Sequence, residues 1–381
     1  MSSEHLIAAA AAGRRIVEEA VWHDGRCNWL GATSGAVGRY QALGPTLYKG
    51  TAGVGLFLAH LGRATGDADA RRTALGALRH AVGSSSERPD LAGFHVGATG
   101  IAWAAVTASA LLDAPELRER AGDVLNPAIG TSPDIMTGIA GTIVGLLALA
   151  GPLEEPRLID RAADAGEELL RAATSSHRGL SWPTPDRGGR RHLYGLGYGA
   201  NGIAWALLEL YAASGDDRFR TAAERGFEYE RSWLRADTLC WAFERKHGSP
   251  LPSSGSWCHG EAGIGLTRTR ASELLRSDQH RRDAELARAA TRRHLEEELR
   301  LGIQDLSLCH GVAGAAEALP GDAAIIERLS DFALSRDPAG WPGGVGHGTT
   351  PALFRGTSGI AWWLLRIADP ATPSPLALPT G

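Results

Sequence analysis

Gly50-Thr51-Ala52-Gly53-Val54-Gly55-Leu56-Phe57-Leu58-Ala59-His60-Leu61 decides the architecture. Two glycines separated by two residues open a run that is apolar on nearly every side, the pattern of a helix buried all round. The unit returns at Gly97-Ala98-Thr99-Gly100, Gly138-Ile139-Ala140-Gly141, Gly199-Ala200-Asn201-Gly202, Gly260-Glu261-Ala262-Gly263, Gly311-Val312-Ala313-Gly314 and Gly356-Thr357-Ser358-Gly359. Successive first glycines are 47, 41, 61, 61, 51 and 45 residues apart. Self-similarity at such spacing marks a repeat architecture.

Amphipathic, Arg/Glu-rich segments lie between the buried runs, at residues 69–82, 116–125, 157–173, 217–233, 282–301 and 323–334. They read as solvent-facing helices. A buried helix alternating with an exposed one predicts an all-α closed double ring, an α/α toroid with seven inner and seven outer helices. The repeats run through nearly the whole chain, so one domain over residues 1–381 is expected. Extended pieces are expected only near residues 179–183 and 238–241. Pro/Gly/Arg-rich loops at residues 176–196 and 243–255 are expected to act as lids or substrate contacts. The four-proline tail from Asp369 to Gly381 is expected along the surface. Glycine at each helix start allows a tight turn and close packing. Unpaired helix N–H groups are then expected to point to the ring centre and favour an anionic or electron-rich ligand.

Hydrophobic residues are 44% and charged residues 22% of the chain, ordinary for a soluble globular protein. A net charge of −4 gives no reason to expect nucleic acid. Of 39 basic residues only Lys49 and Lys246 are lysine. Four cysteines are too few for a disulfide framework at this length. The first residues lack the basic start of a signal peptide, and no apolar stretch reaches about 18 residues. A cytoplasmic protein with no membrane span is expected.

The sharpest chemical signal is Trp257-Cys258-His259-Gly260 with Leu308-Cys309-His310-Gly311. Cys258 and Cys309 fall at the same position, two before the first glycine, in consecutive repeats. In a ring, equivalent positions of adjacent repeats are neighbours at one end. Cys258, Cys309 and His310 are therefore expected to converge, although fifty residues separate them along the chain. Thiolate and imidazole donors suit Zn²⁺, and three protein ligands leave the fourth tetrahedral position open for chemistry.

These motifs, on seven Gly-x-x-Gly repeats, resemble the lanthionine synthetase C-like cyclases. Leu47-Tyr48-Lys49-Gly50-Thr51-Ala52-Gly53, Gly202-Ile203-Ala204-Trp205-Ala206-Leu207-Leu208 and Tyr229-Glu230-Arg231-Ser232 look closest to the cyclase domain of two-domain lanthipeptide synthetases. The resemblance implies an α/α toroid whose zinc ligands are Cys258, Cys309 and His310. It implies a cyclase that adds peptide cysteine thiols to dehydroalanine or dehydrobutyrine, forming thioether rings in a ribosomal peptide. Its partners would be a dehydrated precursor peptide and a separate dehydratase or kinase/lyase enzymes of the same pathway.

One position departs from the family. The fourth repeat there carries an acid/base histidine immediately before its first glycine, and this chain has Tyr198. Asp134 matches the family's active-site aspartate. A phenol is a poor base at neutral pH but a usable proton donor. His259, beside a zinc ligand, is the best alternative acid, ahead of His192, His347 and His95. The catalytic expectation is thus Tyr198, Asp134 and His259. The competing reading is a catalytically altered zinc protein that serves as a scaffold for peptide or partner enzymes. A toroidal glycosidase would need a carboxylate pair at the cavity, and none stands out.

Overall fold

The computed structural model describes residues 3–33, 38–85, 92–125, 130–186, 189–241, 243–244, 250–251 and 255–377. Each Gly-x-x-Gly opens an inner helix: α2 (Thr51–Thr65), α4 (Ala98–Leu112), α6 (Ile139–Ala150), α8 (Ala200–Ser214), α10 (Glu261–Leu275), α12 (Val312–Glu317) and α14 (Thr357–Ala368). Each inner helix packs on the next, and α14 packs back on α2, so the inner layer is a closed ring. Six outer helices follow their inner partners: α3 (Ala68–Gly83), α5 (Pro115–Val124), α7 (Arg157–Ala172), α9 (Asp217–Arg231), α11 (Asp278–Leu301) and α13 (Ala323–Leu334). The seventh outer position is filled from the other end of the chain. The alanine-rich α1 (Ser3–Glu18) packs against α14. The protein is an α/α toroid.

The two layers start their helices differently. Outer helices use side-chain caps: Asp67 on α3, Asp216 on α9, Ser277 on α11 and Asp322 on α13 accept from first-turn N–H groups. Every inner helix has a glycine N-cap without a side-chain bond. In five of the seven inner helices the first of the expected unpaired N–H groups is satisfied. The first helical N–H of Thr51, Ile139, Ala200, Val312 and Thr357 donates to the carbonyl seven residues back, at Gly44, Ser132, Leu193, Asp305 and Thr350, over 2.7–3.0 Å. The loop entering each inner helix folds over the helix start, because a buried end must find partners for its orphan donors.

That folded-over loop explains the second glycine. A Cβ at Gly100 would collide with the Phe94 carbonyl, and one at Gly263 with the Trp257 carbonyl. The residue that supplies this carbonyl is buried in every repeat: Leu47, Phe94, Ile135, Leu196, Trp257, Leu308 and Leu353. Adjacent turns are also stitched together. Tyr48 N–H donates to His95 O, Val96 to Met136, Gly197 to Cys258, Trp257 to Cys309, Cys309 to Phe354, and Phe354 back to Tyr48, over 2.7–3.1 Å. This circlet of bonds links repeat seven to repeat one and fixes the register of the ring.

Short hairpins decorate the helices beyond the two extended regions expected. β1 (Val21–His23) pairs with β2 (Arg26–Asn28), and β3 (Leu30–Ala32) with β4 (Tyr40–Ala42). The region expected as a loop at 176–196 holds β6 (Gly179–Ser181), which pairs with β5 (Thr174–Ser176), and the hairpin of β7 (Pro183–Asp186) and β8 (Gly189–His192). Most of the second expected lid, residues 243–255, lies outside the described residues. The tail is not merely superficial. Leu376 is buried, Ser374 donates to Glu317 at 2.6 Å, and Trp362 donates to the Pro373 carbonyl at 3.0 Å. It closes over the end of α12, which spans only six residues.

One charged network crosses the layers. Arg268 on α10, fully buried, pairs with Glu230 on α9 and reaches Asp283 on α11 at 3.4 Å, and Arg231 reaches Asp283 at 2.5 Å. No helix among the described residues is long and apolar enough to cross a membrane.

Candidate metal centre

The turns before the inner helices meet at one end of the ring and enclose a cavity of about 550 Å³. The residue just before the first glycine lines it in all seven repeats: Lys49, Val96, Thr137, Tyr198, His259, His310 and Arg355. The residue one place earlier adds Tyr48, Met136, Cys258 and Cys309. The β3–β4 hairpin closes one side through Gly31, Ala32, Thr33 and Gln41. No carboxylate is among the described residues that line it.

The Cys258 and Cys309 sulfurs and a His310 ring nitrogen lie within 4.8 Å of one another. The Trp257–Cys309 backbone bond between adjacent turns sets this approach. Both cysteines are buried, while His310 is exposed to the cavity. Cys258 Sγ points at the Cys309 carbonyl, 3.8 Å away. Hydrogen bonding to Cys309, with burial, raises the Cys258 thiol well above its usual value. Burial opposes ionisation of Cys309 as well. There the hydrogen bonds from Cys258, His310 and Tyr48 outweigh it and bring the thiol down to about 5. His310 is raised in turn by its bond to Cys309. The hydrogen bond between Cys309 and His310 thus favours the charged form of each.

The donor set fits zinc. A tetrahedral zinc with bonds of about 2.0–2.3 Å separates its ligand atoms by roughly 3.5 Å, so the three donors need only a small contraction to share one ion. Two sulfurs and one nitrogen also match zinc's ligand preference.

Tyr198 lines the cavity from the fourth repeat, and its ring stacks on His259 with centroids 6.0 Å apart and planes at 24°. Burial, then the negative charge of Asp134, then Cys258 and Cys309, push the Tyr198 phenol up to about 12. Asp134 does not line the cavity. Its carboxylate is buried behind the third turn, where it accepts from Ser132 Oγ and from the Thr137 N–H at 2.7 Å. His95, in register with the cysteines, is fully enclosed by Phe94, Trp257 and Phe354 and stays neutral, because burial lowers it to about 3. His192 bonds Ser181 at 2.8 Å and His347 is exposed; neither lines the cavity.

Three cavity residues escaped the reading by motif. Tyr48 hydrogen-bonds Cys309 and stacks on Phe354 with centroids 4.9 Å apart. Lys49 and Arg355 supply two positive charges. The signal was present, because they hold the same register positions in repeats one and seven that Cys258, His259, Cys309 and His310 hold in repeats five and six.

A family model described as lanthionine synthetase C-like protein matches residues 41–378. Among solved structures, nisin cyclase superposes with a TM-score of 0.57 at 17% identity, covering 86% of this chain and 89% of its own. A UGL variant with dGlcA-Glc-Rha-Glc superposes with a TM-score of 0.50 at 15% identity, covering 99% of each chain. At these identities the likeness is one of fold. No curated protein matches the chain in sequence.

Proposed function

The chain belongs to the lanthionine synthetase C-like family, and from that premise we propose that it is a zinc-dependent cyclase joining peptide cysteine thiols to dehydroalanine or dehydrobutyrine as (methyl)lanthionine rings. The observation that carries this reading is the Cys258, Cys309, His310 cluster opening onto a cavity. Among the described residues the lining offers no carboxylate pair of the kind glycoside hydrolysis uses.

Cys258, Cys309 and His310 would hold the zinc. When bound there, the ion would lower the pKa of an incoming peptide thiol so that it reacts as thiolate near neutral pH. The remaining work belongs to the chain. The thiolate carbon–sulfur bond forms at the β-carbon of the dehydro residue, and the π pair moves toward the carbonyl as an enolate. The α-carbon must then receive a proton. Tyr198, kept neutral by burial and by Asp134, is the proposed donor, and His259 stacked on it is the second proton-bearing group in reach. The reading takes residues 1–381 as one toroidal domain in the cytoplasm. Separate dehydratase or kinase/lyase enzymes supply the dehydrated precursor.

The test is incubation with dehydrated precursor peptide and a count of free thiols. Thiols should disappear with the wild type. Cys258→Ala and Cys309→Ala should each lose both bound zinc and turnover. Peptide binding without thiol loss would instead identify a scaffold, the reading that Tyr198 in the histidine position favours. Full turnover in either cysteine variant refutes the site.

A further inference from the structure

The cavity is electrostatically one-sided. Among the described residues its lining carries Lys49 and Arg355 and no acidic side chain. The two cations are not equivalent. The Asp305 carboxylate and Arg355 Nε border the same point beside Gly344, so a negative charge stands behind Arg355. Among the described residues Lys49 has no carboxylate within ion-pair distance. It is also one of only two lysines in a chain whose other basic residues are arginine.

Ring order gives that charge a position. Cys258 and Cys309 come from repeats five and six. On one side stand His259 and then Tyr198, from repeats five and four. On the other stand Arg355 and then Lys49, from repeats seven and one. The Phe354–Tyr48 backbone bond at 3.1 Å and the stacked Tyr48 and Phe354 rings hold the first turn against the seventh. Tyr48, next to Lys49 in sequence, hydrogen-bonds Cys309. Lys49 therefore lines the same cavity as the sulfur cluster, two repeats round the ring from Cys309 and three from Tyr198.

We propose that the Lys49 ammonium binds the carbonyl oxygen of the acceptor dehydro residue and holds the negative charge that develops there during thiol addition. This rests on the cyclase reading above. The sulfur–carbon bond forms, the carbon–carbon π pair shifts to the carbonyl oxygen, and Lys49 stabilises the oxyanion. The charge collapses when the acid protonates the α-carbon, and Lys49 keeps its own protons throughout. Lys49 is exposed where it lines the cavity, and a cation already at the site as the charge appears contributes to rate.

The experiment uses full-length zinc-loaded protein and dehydrated precursor peptide. Lys49→Met keeps the stem and removes the charge; Lys49→Arg restores a charge. For Lys49→Met, kcat should fall about 10²–10³-fold, the usual loss on removing one oxyanion donor. Its KM, zinc content and melting temperature should match the wild type, and Lys49→Arg should recover most of the rate. A kcat for Lys49→Met within threefold of wild type overturns the proposal. So does a loss of zinc or early melting in that variant, or an arginine variant as slow as the methionine one. If the wild type itself consumes no thiols, the cyclase reading fails first, and the two failures are distinct.

Discussion

Tyr198 is the proposed acid, and its surroundings suit a donor rather than a base. Burial and the nearby Asp134 charge hold the phenol up to about 12, so it carries its proton throughout the physiological range. Tyr198→Phe should lower the cyclisation rate about 10²–10⁴-fold, the usual contribution of a positioned acid, with zinc content unchanged. Single-turnover thiol consumption measures this. An unaltered rate would remove the phenol from the chemistry, and a loss in His259→Asn would then identify the imidazole as the acid. At this scale the sequence was informative where a residue type is itself the chemistry, as with Cys258, Cys309 and His310. It was silent about Tyr48 and Lys49, because a tyrosine or lysine before a glycine has no signature until its neighbours across the ring are known.

The turn and its inner helix form the element that builds the site. Its second glycine is fixed by backbone crowding, so substitution there should damage the site as well as the fold. Gly263→Ala drives a methyl into the Trp257 carbonyl, next to Cys258. It should cost about 1–3 kcal/mol of stability, as overpacking does, and weaken zinc retention against a chelator. Gly265→Ala is the control on the same helix. The nearest atom to a Cβ there is 3.7 Å away, in ordinary contact. That variant should hold its zinc and gain up to about 1 kcal/mol from the better helix former. Urea denaturation of both proteins checks the pair; equal behaviour would mean the turn tolerates a Cβ. Five of the six outer helices read between repeats lie within two residues of their expected ends, and α11 begins four residues earlier than its amphipathic run. α1 was not recognised as the seventh, because an alanine-rich helix at the chain start carries no sign of which helix it will cover.

For the whole molecule, ring closure buries histidines that an open chain would leave solvated. His60 and His280 are each lowered to about 4, chiefly by burial, with help from Arg63 for His60 and from Arg268 and Arg231 for His280. A base whose folded pKa lies below its unfolded value of 6.5 contributes stability that is present above pH 6.5 and lost as pH falls toward 4. The His60 shift alone corresponds to about 3 kcal/mol when fully expressed. The urea midpoint should therefore drop steadily between pH 6.5 and pH 4. His60→Gln should flatten part of that slope, and an identical slope would show that His60 ionises in place.

The sequence by itself determined the repeat number, the alternation of buried and exposed helices, and the convergence of Cys258, Cys309 and His310. Each of these is written as local periodicity or residue chemistry, which a linear chain displays directly. Only the tertiary structure decided which turns face each other. It joined repeat seven to repeat one, brought α1 round to α14, paired helix-start N–H groups with folded-over loops, and set Lys49 and Tyr198 in the lining of one cavity. Those relations depend on closure, and closure sums many weak contacts between residues far apart in the chain, so no single stretch of sequence encodes it.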